Sequence, residues 1–208
     1  HRRILSSTAY RQSSKRRPES DALDPDNRLL GRMSVRRLEA EVLRDSLLAL
    51  GGKLTPRMHG APTPVSPDLL GQIILAVDTR DGAARPTGKF VPLGADEFRR
   101  SIYVQVRRSM PLSLIAPFDP PALEPNCERR PSSNTPAQAL VMMNNPFVAR
   151  QAKSLAARIL REAGADRADR FRRAWLNITG REPAREQSER GLAFLESELA
   201  LLAKDPKP

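Results

Sequence analysis

Prolines constrain this sequence more than any other feature. Nineteen are present, and they cluster between Pro56 and Pro146. A proline fixes its own φ, removes a backbone donor and restricts the residue before it. Long helices and central strands therefore do not run through such a stretch. The middle of the chain is expected to be loop-rich and held by packing, which leaves the long regular elements to its two ends.

The 208 residues suffice for one or two domains with a real core. Hydrophobic residues make up 39% and aromatics only 4%, so Leu, Ala, Ile and Val must build that core. The expected fold is mainly α: a helical bundle with a proline-rich irregular middle and one small β-sheet or hairpin. It is read as a single domain over residues 1–203. N-terminal helices occupy 1–50, a loop-rich segment with short strands 51–134 and a C-terminal helical bundle 135–203, with a loose tail at 204–208.

Residues 1–11 pattern as the last turns of a helix, with Ile4, Leu5 and Tyr10 apolar and no cap before His1. The expectation is that the domain is truncated and that residues precede His1. Processing to a mature N-terminus is the alternative. On the first view, apolar surface near Ile4, Leu5 and Tyr10 is a scar and not a binding site. Residues 12–27 form a polar connector in which Asp24-Pro25-Asp26-Asn27 signals a turn or helix start. Asp26 or Asn27 would cap a helix over Leu29–Leu50, bent near Gly31–Ser34 and stopped by Gly51-Gly52.

Turning that helix by 100° per residue places Val35, Leu38, Val42, Leu43, Ser46, Leu47, Ala49 and Leu50 on one broad face. Arg37, Glu41 and Arg44 fall opposite. Glu39 lands inside the apolar stripe, so its carboxylate is predicted to be buried and hence paired, hydrogen-bonded or protonated. A general acid/base or metal ligand is one reading. An ion pair to one of the many arginines, pinning the irregular middle to the helix, is the preferred one.

From Leu54 to Phe98 the pattern is irregular. Ile73–Val77 is too short to assign and suits either a strand or a helical turn. Residues 78–89 resemble a flexible excursion. Over Ser101–Arg107, Ile102, Val104 and Val106 alternate with polar residues, as in a half-buried strand, and Ile73–Val77 is its expected partner. Thr135-Pro136 opens a helix over Ala137–Met143, interrupted at Asn144-Asn145-Pro146. The next helix turns Phe147, Val148, Gln151, Ala152, Leu155, Ile159 and Leu160 inward and closes at Gly164. A third starts at Asp166, with Phe171, Ala174, Trp175 and Ile178 inward, and ends at Gly180. A fourth runs to about Ala203 with Leu192, Leu195, Leu199 and Leu202 as its seam. Short turns make these an antiparallel bundle.

The formal charge of +11 invites a nucleic-acid reading, but its distribution opposes one. Only six of the 35 basic residues are lysines, and most basic residues are interleaved with Asp and Glu. The Arg2–Arg17 region is the densest exception. Cys127, the single cysteine, excludes an internal disulfide, a CxxCH haem attachment and a Cys-rich zinc site within this sequence. Arg129 and Arg130 after it would lower its pKa, but packing as a small apolar residue is preferred to catalysis. His59 lies in a loop with no second ligand at metal spacing, and His1 stands far from it. No phosphate-binding glycine loop or serine nucleophile elbow is present, and no apolar run is long enough to span a membrane.

Seven ordered segments carry a family resemblance: His1–Ser14 (HRRILSSTAYRQSS), Asp24–Leu30 (DPDNRLL), Arg36–Asp45 (RRLEAEVLRD), Arg99–Arg108 (RRSIYVQVRR), Glu124–Arg129 (EPNCER), Pro136–Leu140 (PAQAL) and Gly180–Pro183 (GREP). Together they resemble the C-terminal domain of unknown function of the planctomycete cytochrome-c-domain proteins, over nearly all of residues 1–203. Gly31 stands where that pattern has a bulky or aromatic residue, and Ser133-Asn134 replaces a more Thr/Val-rich lead. The resemblance implies a secreted or periplasmic protein with a cytochrome-c-like domain upstream and a second uncharacterised domain between. It places haem only in that upstream domain, leaves this chain without a cofactor or metal, and transfers no catalytic residue.

The leading expectation is an accessory or interaction module packing on neighbouring domains of its own protein. Arg36, Arg37, Glu39, Arg99, Arg100, Arg129 and Arg130 would form its structural charge network. The alternative is part of an extracytoplasmic enzyme acting on polysaccharide, with Glu39 or Glu41, Arg100 and His59 as its site. Nucleic-acid binding through basic surface comes third.

Overall fold

The computed structural model describes residues 1–121 and 129–204, so Cys127 and most of the Glu124–Arg129 motif lie outside the described residues. The chain forms two compact units, His1–Leu38 and Glu39–Pro208.

The first unit holds two short helices, α1 (Arg2–Leu5) and α2 (Pro18–Leu23), and is organised by polar side chains. The Asp24 carboxylate accepts the backbone N–H groups of Arg28 at 2.8 Å and Leu29 at 2.7 Å. Asn27, buried with φ 55°, donates to the Arg32 carbonyl at 2.8 Å and accepts the Arg32 N–H at 3.1 Å. Asp21 pairs with Arg16 at 2.7 Å and with Arg32 at 3.4 Å. The helix expected from Leu29 does not form there. Asp24 and Asn27 occupy N–H groups in a looped backbone, the competition with helix that Asx side chains offer. Ile4, Leu5 and Tyr10 are exposed.

The second unit begins with α3 (Ala40–Leu50), about ten residues later than the periodicity predicts. Glu39 is its N-cap, in extended backbone conformation and exposed, so the predicted buried carboxylate is corrected. The buried residues of α3 are Ala40, Arg44 and Leu48, whereas Val42 is exposed; the apolar stripe does not set the inner face.

Two small antiparallel sheets follow. β1 (Val65–Pro67) pairs with β2 (Ile73–Leu75), and β3 (Val77–Arg80) pairs with β4 (Pro86–Val91) across an irregularity at Asp78/Arg80. The 78–89 excursion is thus a hairpin. Ser101–Arg107 is not a strand of either sheet: it opens with a 3-10 turn at Ser101–Tyr103 and continues as extended chain bridged to Thr63 at Val104. The predicted alternation is not kept: Tyr103, Val104 and Gln105 are all half-buried. Ser101 is buried, while Ile102 and Val106 are exposed.

The C-terminal helices are α4 (Pro136–Asn144), α5 (Pro146–Glu162), α6 (Arg167–Thr179) and α7 (Arg185–Lys204). Their ends follow local chemistry. Thr135 and Gln138 form a capping box, the Asn145 side chain accepts the Phe147 N–H, and Asp166 accepts those of Ala168 and Asp169. Gly180 ends α6 at φ 70°. The core is Leu155, Ile159 and Ala163, with Leu50 and Ala174 packed on it. α5 packs against α3, α4 and α6, and α6 against α7. Leu160 and Ile178, expected inward, are exposed, and so are Leu195, Leu199 and Leu202 of the α7 seam. The molecule is mainly α with a small β component, as the sequence pattern predicts. Among the described residues no helix is long and apolar enough to cross a membrane.

Gly191 shows how closely α6 and α7 approach. A Cβ at this position would overlap the Cε2–Cζ edge of the Phe171 ring. Propensity alone makes alanine better than glycine in a helix interior by about 1 kcal/mol. Overpacking costs about 1–3 kcal/mol and is expected to win. Gly191→Ala should therefore lower the urea-unfolding free energy, and adding Phe171→Leu should restore part of the loss; a stabilised Gly191→Ala would refute the close packing.

Candidate functional site

Arg44 lies at the centre of the second unit with 1% of its surface exposed. Its guanidinium donates to the carbonyl of Arg99 at 2.9 Å, the carbonyl of Glu97 at 2.8 Å and Ser101 Oγ at 3.2 Å. Asp45 is the adjoining anion. One of its oxygens accepts both the N–H and the hydroxyl of Ser101 at 2.7 Å and stands 3.7 Å from Arg44. Burial pulls the Arg44 pKa below its ordinary value, against the raising effect of Asp45 and Glu97. A guanidinium starts so high that it stays charged at neutral pH.

A second buried arginine continues the network. Arg99 donates to the carbonyls of Ala61 at 2.7 Å and His59 at 2.6 Å, with its guanidinium 4.0 Å from the Tyr103 ring centroid. The Tyr103 hydroxyl accepts the His59 N–H at 3.0 Å. His59 therefore enters through its main chain, in left-handed conformation at φ 63°, while the residue itself is exposed.

The predicted site residues separate into different places. Arg130 makes a two-point pair with Glu41, at 2.6 and 3.2 Å, and reaches Glu39 at 3.4 Å. Arg100 and Arg129 are exposed, and within the first unit Arg36 is exposed and Arg37 half-buried. None of Glu39, Glu41, His59 and Arg100 lines the cavity bordered by Arg44 or the one beside Asp166 and Arg172. Arg44, Asp45 and Ser101 were missed because the helical wheel put Arg44 on the solvent side. The missed signal is local: an Arg-Asp pair in an amphipathic helix, followed by a polar-alternating segment able to receive it.

A cavity of about 440 Å³ lies elsewhere. Ile74, Ala76 and Phe90 of the hairpins, Leu112 and Leu114, and Phe147 at the start of α5 supply its apolar lining. Arg44 also borders it, 5.6 Å from the Phe147 ring centroid. Glu97 and Arg150 form a loose pair there at 3.8 Å. No group of three or more His, Cys, Asp or Glu that could hold a metal ion occurs among the described residues.

A family model described as PSD1, protein of unknown function (DUF1553), matches residues 1–195. The chain belongs to this family. No curated protein and no solved structure matches the chain. In this DUF1553 member, several of the motif segments identified in the sequence have architectural roles. Asp24 organises the loop of DPDNRLL, and Arg44 and Asp45 close RRLEAEVLRD. Arg99, Ser101 and Tyr103 are the inward residues of RRSIYVQVRR. Gln138 of PAQAL donates to the Pro117 carbonyl at 2.9 Å, and Glu182 of GREP pairs with Arg172 at 2.8 Å.

Two outcomes follow. Arg44→Lys keeps the charge, but one ammonium cannot reproduce the fork that reaches three acceptors. Each buried acceptor left unpaired costs about 1–3 kcal/mol. Urea unfolding should show a loss of about 3 kcal/mol or more, with faster amide exchange over residues 101–104; a loss below about 1 kcal/mol would contradict the role given to Arg44. For Glu41, partial burial raises the pKa, but Arg130, the backbone N–H and the Arg130 charge together bring it below the ordinary 4.5. A depressed carboxylate stabilises the fold above its unfolded pKa, and that contribution disappears as pH falls through the folded value. Glu41→Gln should therefore be less stable than the parent at pH 7 and show a shallower acid limb below about pH 4.5. Superimposable acid limbs would exclude the pairing.

Proposed function

We propose that this DUF1553 chain is a non-catalytic accessory module of a secreted or periplasmic multidomain protein that also carries a cytochrome-c-like domain. One observation carries the accessory part of the reading. The polar residues of the motif segments bond to the protein's own loops: Arg44 to residues 97–101, Arg99 to residues 59–61 and Arg130 to Glu41. Side chains arranged in this way hold a surface in shape and leave little for proton transfer or nucleophilic attack.

The exposed apolar residues of α7, Phe194, Leu199 and Leu202, supply surface for neighbouring domains to cover. Haem would belong to the upstream domain, and the motif order supports the extracytoplasmic context. The enzyme alternative has less support, because Glu39, Glu41, His59 and Arg100 line neither the cavity bordered by Arg44 nor the one beside Asp166 and Arg172.

The test uses the full-length gene product. A signal peptide and a CxxCH motif in its coding region, with haem staining in the periplasmic or secreted fraction, are expected. Hydrogen exchange at Phe194–Leu202 should be slower in the full-length protein than in this chain alone. A cytoplasmic product without haem would refute the context, and equal exchange would refute the packing role.

A further inference from the structure

We infer that the cavity between the hairpins and the start of α5 binds a small amphipathic acid, with an apolar tail of roughly ten carbons and one carboxylate. Its volume of about 440 Å³ lies within the roughly 300–1,000 Å³ of small-molecule sites. At about 30 Å³ for each water-sized group, it accommodates roughly 15 of them. That is room for a medium-length alkyl chain.

The lining favours hydrocarbon. Ala76, Leu112 and Leu114 are buried, and Ile74, Phe90 and Phe147 are half-buried. Backbone groups along this wall already have partners. The Ala76 N–H donates to the Pro64 carbonyl, the Ile73 N–H to Ser113 Oγ, and the Ser113 N–H to the Ile73 carbonyl. A sugar would leave many of its hydroxyls unpaired against such a wall, whereas an alkyl chain has none to pair. Leu69 and Leu70, on the turn between the lining residues Asp68 and Gln72, are 86% and 84% exposed and extend the apolar surface outward.

Arg150 selects the head group. Its side chain is 61% exposed, and the Glu97 carboxylate stands 3.8 Å away, too far for a hydrogen bond. A ligand carboxylate beside Arg150 gains a two-point charge-assisted pair, while the partly exposed Glu97 turns to water. The cavity is bordered by two cations, Arg44 and Arg150, and two carboxylates, Asp68 and Glu97. Asp68 is tied down by the N–H groups of Leu70 and Gln72, and Arg150 is held only loosely, by Glu97 at 3.8 Å. Buried Arg44 gives its three bonds to neutral oxygens and adds positive potential at the wall, which Asp45 at 3.7 Å offsets in part. The chain's net charge of +11 acts in the same direction. This site does not depend on docking to neighbouring domains.

Calorimetric titration of the whole chain with decanoate, decanol and decyltrimethylammonium, each below its micellar range, tests the assignment. Decanoate should bind at one saturable site, with decanol about tenfold weaker and the ammonium weaker still. Arg150→Gln should bring decanoate to the level of decanol and leave decanol unchanged. Val91→Trp, at an exposed lining position, should weaken both by about tenfold or more while circular dichroism stays unchanged; if that variant misfolds, Arg150→Gln decides. Absent saturable binding, a preference for the ammonium, or decanoate binding indifferent to either substitution in a folded chain would overturn the proposal.

Discussion

The second unit depends on a guanidinium withdrawn from water. Burying Arg44 is costly, and the structure offsets that cost by giving its donors to loop groups that would otherwise be unpaired inside the protein. Residues 94–118 run through short 3-10 helices, turns and extended chain with isolated bridges to Thr55 and Thr63, so no long helix or sheet ladder satisfies most of their backbone. Buried carbonyls in such a segment need an external partner. Arginine suits the task because its rigid fork presents several donors from one side chain. An apolar residue at position 44 would fill the space and leave those carbonyls without partners.

From that contact the order spreads outward. Holding the Arg99 carbonyl positions the Arg99 side chain, which fastens residues 59–61 and stacks on Tyr103. Thr63, just beyond, exchanges backbone hydrogen bonds with Tyr103 and Gln105. The hairpins that follow meet Leu112, Leu114 and the first turn of α5 around the cavity. Arg44 borders that cavity too, so one buried cation belongs both to the scaffold and to the cavity wall.

Legibility followed the range of the interactions. Helix ends in the C-terminal part were readable because Thr135, Asn145, Asp166 and Gly180 act on backbone within a few residues of themselves. The inward set of α5 was largely readable as well, since Gln151, Leu155 and Ile159 repeat at helical spacing. Glu39 was misplaced because apolar periodicity continued through a segment whose backbone Asp24 and Asn27 had already committed to a loop. Ser101–Arg107 reads as an alternating strand but opens in a 3-10 turn with Ser101 inward. Hydrophobic residues were expected inward, but this interior is polar, and Asp45 and Arg44 draw Ser101 into it.

By itself, the sequence determined a mainly helical chain, a proline-broken middle and the caps that start and stop the last helices, because these arise from φ restrictions and hydrogen bonds between near neighbours. Which side of α3 faces inward, which loop each arginine holds, and that the hairpins and α5 enclose a cavity were decided only by tertiary structure. The reason is physical. A guanidinium has the same periodicity whether it points to water or to carbonyls more than fifty residues away, and only the folded chain supplies those carbonyls.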